Sequence, residues 1–199
     1  MLDPYISVID GIKFTSFLDL RKNDSFLIEG CLTPEQADYI NSHHIKSVTT
    51  KYMKEFDSLK QCPGIESICI GGKTPYGKDV PVESWTYEPS GLYNLPNLKV
   101  LQISVDENDK LVIDLKGIST LEGLRYYRNK RCINLDKAVN LKWLEIWHYR
   151  EKNLMELKNL KKLKYLNLTW ASIQSLEGCE FLESLEELRL YYNRSLKDI

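Results

Sequence analysis

Gly71-Gly72-Lys73-Thr74 is the first stretch that could do chemistry, since a glycine-rich turn ending in Lys-Thr can cradle phosphate with backbone N–H groups. That pattern also needs a glycine at 67, where Ser67 stands, and Pro75 blocks the helix that must follow. The sequence argues against nucleotide binding. His43-His44 falls at the end of a predicted helix, where a cation suits the helix dipole, and no carboxylate or cysteine has ligand spacing to the pair. His148 stands beside Trp147 with no serine or cysteine in a recognisable nucleophile motif, so no triad can be assembled around it. The five cysteines, Cys31, Cys62, Cys69, Cys132 and Cys179, form no CxxC pair and no Cys/His spacing suited to zinc. They read as reduced and mostly buried thiols. No catalytic residue, metal or cofactor is expected, which leaves recognition.

Composition sets the outer bounds. A chain of 199 residues allows one large domain or two small ones. Lys plus Arg is 27 and Asp plus Glu is 28, a net charge of -1, whereas a general nucleic-acid binder needs a basic excess. Apolar residues make up 43% and charged ones 28%, far from the composition of disordered chains. No apolar run approaches the roughly 18 residues of a membrane span. Met1-Leu2-Asp3-Pro4-Tyr5 lacks the basic and apolar segments of a secretory signal, so a cytoplasmic location is expected, and the Asn-x-Ser/Thr triplets at Asn23, Asn167 and Asn193 then carry no glycan.

The elements that position side chains come from an internal repeat. Leu163-Lys-Tyr-Leu166-Asn-Leu168 and Leu185-Glu-Glu-Leu188-Arg-Leu190 share the pattern LxxLxL and start 22 residues apart. The pattern recurs as Leu141/Leu144/Ile146, Leu121/Leu124/Tyr126 and Leu98/Leu101/Ile103, and in weaker form as Ile65/Ile68/Ile70, Ile45/Val48/Thr50 and Asn23/Phe26/Ile28. Between these segments leucines recur every third residue, as in Leu154, Leu157, Leu160 and Leu163. Spacing of two and then of three predicts a strand followed by a helical turn or 3-10 segment.

On these residues the chain resembles the leucine-rich repeat family, in its short 22-residue, internalin-like class. The resemblance covers about residues 23–199 and is strongest from 92 onward. It implies an α/β solenoid: a curved parallel sheet on the concave side, and short helices or 3-10 turns on the convex side. One domain is expected over 1–199, with an N-terminal cap at 1–22 and about eight repeats in 23–199. The family places asparagine at the ninth motif position. Asn129 and Asn193 match and Cys31 is an accepted substitute, but Met53, Lys73, Asp106, Tyr149 and Ala171 depart from it.

Outside the repeat, Tyr5–Ile9 and Lys13–Leu18 read as a hairpin around Asp10-Gly11. Thr33-Pro34-Glu35-Gln36 reads as a capping box opening a helix over about 34–42, and Lys51–Lys60 as a second helix. Residues 73–91, with three prolines and the aromatics Tyr76, Trp85 and Tyr87, read as a loop insertion overhanging the concave rim. Leu188, Leu190 and Leu196 face an open C-terminal edge, which offers a route to a homodimer.

Because side chains alternate along a strand, the third, fifth and seventh motif positions point away from the leucine core. In the last four repeats these positions and the eighth carry Arg125, Tyr127, Arg128, Trp143, Glu145, Trp147, His148, Tyr165, Asn167, Trp170, Glu187, Arg189, Tyr191 and Tyr192. Such a field of Trp, Tyr and Arg has the composition of a binding hot spot, although the same aromatics can simply stack across strands. The resemblance implies a scaffold for binding a protein or peptide. The expected function is a stand-alone inhibitor or adaptor, for instance a bacterial immunity protein masking a toxin; the alternative is a regulatory or targeting subunit of an enzyme such as a phosphatase.

Overall fold

The protein is described from a computed structural model that covers residues 25–71, 86–105, 109–127 and 131–197, together with the backbone of two strands, β1 (Ile6–Ile9) and β2 (Ile12–Thr15). Those two strands pair antiparallel, as the hairpin reading expects. Among the described residues, one parallel sheet of eight strands runs through the repeats. In chain order these are β3 (Phe26–Glu29), β4 (Ser47–Lys51), β5 (Ser67–Gly71) and β6 (Val100–Ser104). A short β7 (Ile113–Asp114) precedes β8 (Gly123–Tyr127), and a short β9 (Cys132–Ile133) precedes β10 (Trp143–Trp147). β11 (Tyr165–Thr169) and β12 (Glu187–Tyr191) close the series. The sheet order is β12-β11-β10-β8-β6-β5-β4-β3, and β7 pairs with β9 in a separate two-stranded ladder.

Every main-sheet strand begins at or near the third residue of its LxxLxL segment, and the register aligns like positions of successive repeats: Leu124 with Leu144, Leu144 with Leu166, and Leu166 with Leu188. The leucines of the middle repeats form a continuous core with no solvent exposure at Leu101, Leu124, Leu144 and Leu166. Removing each from water is worth roughly 1.5–3 kcal/mol. Where the pattern lacks leucine the core is imperfect: Thr50 fills a sixth-position slot, fully buried, and its hydroxyl has no hydrogen-bond partner.

Return segments differ along the chain. The helix α1 (Pro34–Ser42) is capped by Thr33 and Gln36, each side chain bonded to the other's backbone N–H, as the capping box predicts. The second expected helix does not form. Lys51 still belongs to β4, Tyr52 turns left-handed at φ 58°, and only Asp57–Gln61 winds into a 3-10 turn. The later repeats return by 3-10 turns as well, the shortest spanning three residues, such as Met155–Leu157. These turns pack tightly: a Cβ on Gly91 would lie 2.1 Å from the Phe56 carbonyl carbon.

Two polar ladders run across the repeats just before the strands. Lys46–Glu66, Lys99–Glu66, Lys142–Glu122 and Lys164–Glu186 are ion pairs between neighbouring second motif positions, so opposite charges cancel laterally along the solenoid. Two residues earlier, Asn97 donates to the Pro63 carbonyl, Thr120 to Leu98, Asn140 to Ser119, and Lys162 to the Asn140 side chain. At the ninth position, Met53, Tyr149 and Ala171 are buried as apolar filling in place of asparagine, with the Tyr149 hydroxyl donating to the Asn153 carbonyl.

The end of the expected insertion belongs to the body of the solenoid. Thr86 bridges to Lys110 and Glu88 to Glu55, while Tyr87 is buried with its hydroxyl donating to Asp109, so Tyr87 does not overhang the rim. Residues 72–85, including Tyr76 and Trp85, lie outside the described residues, as do Phe17 and Leu18 of the expected cap hairpin.

Candidate functional site

In-register pairing sorts the side chains opposite the core into three rows. The third-position row runs Val100, Gly123, Trp143, Tyr165, Glu187, and the fifth-position row runs Gln102, Arg125, Glu145, Asn167, Arg189. The seventh-position row runs Tyr127, Trp147, Thr169, Tyr191.

Placement on this face agrees with the alternation, but exposure does not. Trp143 is only 4% exposed and stacks on Tyr165 with ring centroids 5.9 Å apart and planes 11° from parallel. With Val100 they make a small apolar cluster of their own on this side of the sheet. Arg125 pairs with Glu145 at 3.1 Å, both side chains 8% exposed, and Asn167 beside them is buried too. Burial holds the Arg125 guanidinium below its ordinary pKa, against the pull of the Glu145 carboxylate. Glu145 also accepts a hydrogen bond from the Trp147 indole N–H at 2.7 Å, and the Arg125 guanidinium lies 5.9 Å from the Trp147 ring centroid. Strands about 4.8 Å apart bring large in-register side chains close enough to shield one another, so Arg125, Trp143, Glu145, Tyr165 and Asn167 are a buried underlayer rather than open binding surface.

The accessible aromatics lie at the strand exits. Trp170, Tyr191 and Tyr192 are exposed, the last by 69%, and Tyr127, Trp147 and His148 are half-buried. Their rings form a connected chain. Tyr127 meets Trp147 at 5.0 Å, Trp147 meets Trp170 edge-on at 5.3 Å, His148 stacks on Trp170 at 5.2 Å, and Trp170 meets Tyr192 at 5.6 Å. Glu187 and Arg189 flank this rim, bonded to each other, with Arg189 over the Tyr165 ring at 5.2 Å. Burial raises the Tyr165 hydroxyl to about 12, so it stays a neutral donor. Arg128 lies outside the described residues.

The rim is carried by an unusual backbone. In five of the repeats the eighth motif position leaves the strand in the left-handed region, with φ 78° at Gly30 but also 58° at Tyr52, 59° at His148, 52° at Trp170 and 52° at Tyr192, whereas Val105 at the same position does not. The turn has a local purpose: His148 N–H donates to the Thr169 carbonyl and Trp170 N–H to the Tyr191 carbonyl, extending the ladder one step past each strand. Glycine adopts this conformation freely, whereas any residue with a Cβ loses roughly 1–2 kcal/mol. Tyr52, exposed on the other half of the sheet in the same geometry, is not among the residues expected at the site; an aromatic recurring at the eighth position is the sequence signal that points to it.

Other candidate groups stay chemically quiet. Cys69, in the fifth-position row, is buried and its thiol is pushed up to about 12. Burial also raises Cys62 and Cys132. His43 stacks on Tyr39 at the end of α1 with centroids 4.0 Å apart. Among the described residues no three His, Cys, Asp or Glu side chains cluster as a metal site, and no helix is long and apolar enough to cross a membrane.

Repeated short strands in one parallel sheet, returned by 3-10 turns around a leucine core, define the leucine-rich repeat fold, and the chain adopts it. Solved structures agree. An internalin from Listeria monocytogenes superposes with a TM-score of 0.55 at 16% identity, over 84% of this chain and 48% of its own. Internalin C2 from the same organism gives 0.51 at 18% identity, over 84% and 78%. A leucine-rich repeat protein of Leptospira interrogans gives 0.52 at 15% identity, over 83% and 47%. This chain thus spans about half the length of the first of these. No family model matches the sequence, and no curated protein does.

Proposed function

We propose that the chain is a non-catalytic protein-binding module whose contact surface is the aromatic rim of Tyr127, Trp147, His148, Trp170, Tyr191 and Tyr192. The observation that carries this reading is the left-handed backbone at His148, Trp170 and Tyr192. Three consecutive repeats place an aromatic where glycine would be less strained, and Trp170 and Tyr192 remain too exposed to recover that strain by burial. Strain retained under exposed aromatics is what display to a partner requires, and Trp and Tyr are the residues that dominate protein interfaces. Beneath them, the Arg125–Glu145 pair and the Glu145–Trp147 hydrogen bond hold the indole in one orientation, reducing the ordering lost on binding.

The partner is a protein, and the role is that of a cytoplasmic inhibitor of the immunity-protein kind, which covers the active site of a toxin. Purifying the chain with its bound partner, and assaying that partner's activity free and in complex, tests this directly. Inhibition that disappears with Trp170→Ala supports the reading. A partner enzyme that stays fully active in the complex supports instead a regulatory or targeting subunit.

A further inference from the structure

β12 ends the sheet, and among the described residues no strand pairs with its outer edge. On its inner side, Glu187 N–H donates to the Lys164 carbonyl, and the Tyr191 carbonyl accepts from Trp170 N–H. The odd-numbered residues of β12 therefore turn both backbone groups toward β11, and Leu188 and Leu190 turn theirs to the open edge. The leucine side chains at this end are only partly buried against the core. In the same repeat, both amide atoms of Asn193 are buried without a hydrogen-bond partner. Glu187–Tyr191 contains neither the proline nor the lysine that commonly protects an edge strand, and its two charged residues, Glu187 and Arg189, are of opposite sign.

We propose that β12 pairs with β12 of a second copy, antiparallel, about a two-fold axis through Leu188. Two-fold pairing must oppose residues that direct their backbone groups outward, which leaves few registers. Centring the axis on Arg189 would set that guanidinium against its own copy. Centring it on Leu190 would oppose Arg189 to Tyr191 and cancel no charge. Centring it on Leu188 lets the two Leu188 residues exchange both N–H···O bonds, and sets Glu187 opposite the second copy's Arg189 on each side of the axis. Those flanking pairs occupy non-hydrogen-bonded positions, where cross-strand side chains approach most closely. The contact is self-complementary and closed, as a two-fold dimer requires. It leaves the aromatic rims on opposite edges of the joined sheet, so the inference stands independently of the proposed function.

The test is the mass of the full chain in solution by size exclusion with light scattering, loaded at about 100 µM and again after about 100-fold dilution, since a single strand pair makes a small and reversible interface. The concentrated wild type is expected at twice 23.2 kDa, dissociating on dilution. Glu187→Arg alone and Arg189→Glu alone each oppose like charges and are expected to be monomers with unchanged circular dichroism. An equimolar mixture of the two variants is expected to recover the dimer, because each introduced charge then faces its opposite. Glu187 and Arg189 also bond each other within one strand, but mixing two chains cannot repair an intrachain pair. A wild type that stays monomeric when concentrated, single variants that dimerise like the wild type, or a mixture that stays monomeric would each overturn the proposal.

Discussion

The left-handed backbone at Trp170 makes a prediction that inverts the usual order of stability. At most sites alanine is more stable than glycine by about 0.5–1 kcal/mol, because glycine loses more backbone freedom on folding. Trp170→Ala and Trp170→Gly both delete the same indole, with its contacts to Trp147, His148 and Tyr192. They differ only at Cβ. Alanine keeps the roughly 1–2 kcal/mol cost of φ 52°, and glycine removes it. After the entropy term the glycine variant should be the more stable by about 1 kcal/mol, or about 2–4 °C in melting temperature for a chain of this size. Thermal melts of the two variants side by side, read by far-UV circular dichroism, measure the difference without needing the wild-type reference. Alanine equal to or above glycine would refute strain at this position, and with it the argument that the aromatics are displayed at a cost.

The underlayer should behave in the opposite way. Trp143→Ala empties a slot that is 4% exposed and should destabilise by about 3–5 kcal/mol, seen as a large fall in the urea midpoint. Glu145→Ala takes the carboxylate from the buried Arg125 guanidinium and from the Trp147 indole N–H, and about 3 kcal/mol should be lost in the same assay. The Glu66 carboxyl is held below its ordinary pKa, first by its hydrogen bond from Lys46 and then by Lys99. A carboxyl depressed in the folded state stabilises above its unfolded pKa and loses that contribution as pH falls through the folded value. Glu66→Gln should therefore melt slightly below the wild type at pH 7, by less than about 1 kcal/mol for so exposed a pair, and the two curves should converge at pH below about 4.

The fold was largely legible because the repeat is a statement about periodicity. LxxLxL places leucines two and three apart, and that alternation permits a strand and a turn but no long helix, so strand positions and register could be read from Leu98 onward. Legibility failed where local propensity competed with geometry. Lys51–Lys60 has helical composition, but the left-handed turn at Tyr52 sends the chain into a bridge between Glu55 and Glu88 instead. Tyr87 looked like a loop aromatic because its buried acceptor, Asp109, lies 22 residues away.

The site was legible in direction and not in depth. Alternation correctly assigns Trp143, Glu145 and Tyr165 to the side opposite the core, but carries no information on how neighbouring strands shield them. That depends on what stands one repeat away, as Trp143 stacked on Tyr165 shows. The strand-exit residues His148, Trp170 and Tyr192 follow from the repeat, yet their backbone conformation has no signature in a single sequence, because these are not the glycine or asparagine that a left-handed turn favours.

The central claim is that the exposed rim, rather than the buried underlayer, makes the partner contact. The most direct measurement is the affinity of the co-purified partner for the wild type and for Trp170→Gly, taken by calorimetric titration together with the melting temperature of each. Binding weakened by at least about 30-fold, the effect of losing a hot-spot aromatic, in a variant that remains folded at the assay temperature is the expected result. Unchanged affinity in that folded variant would contradict the account.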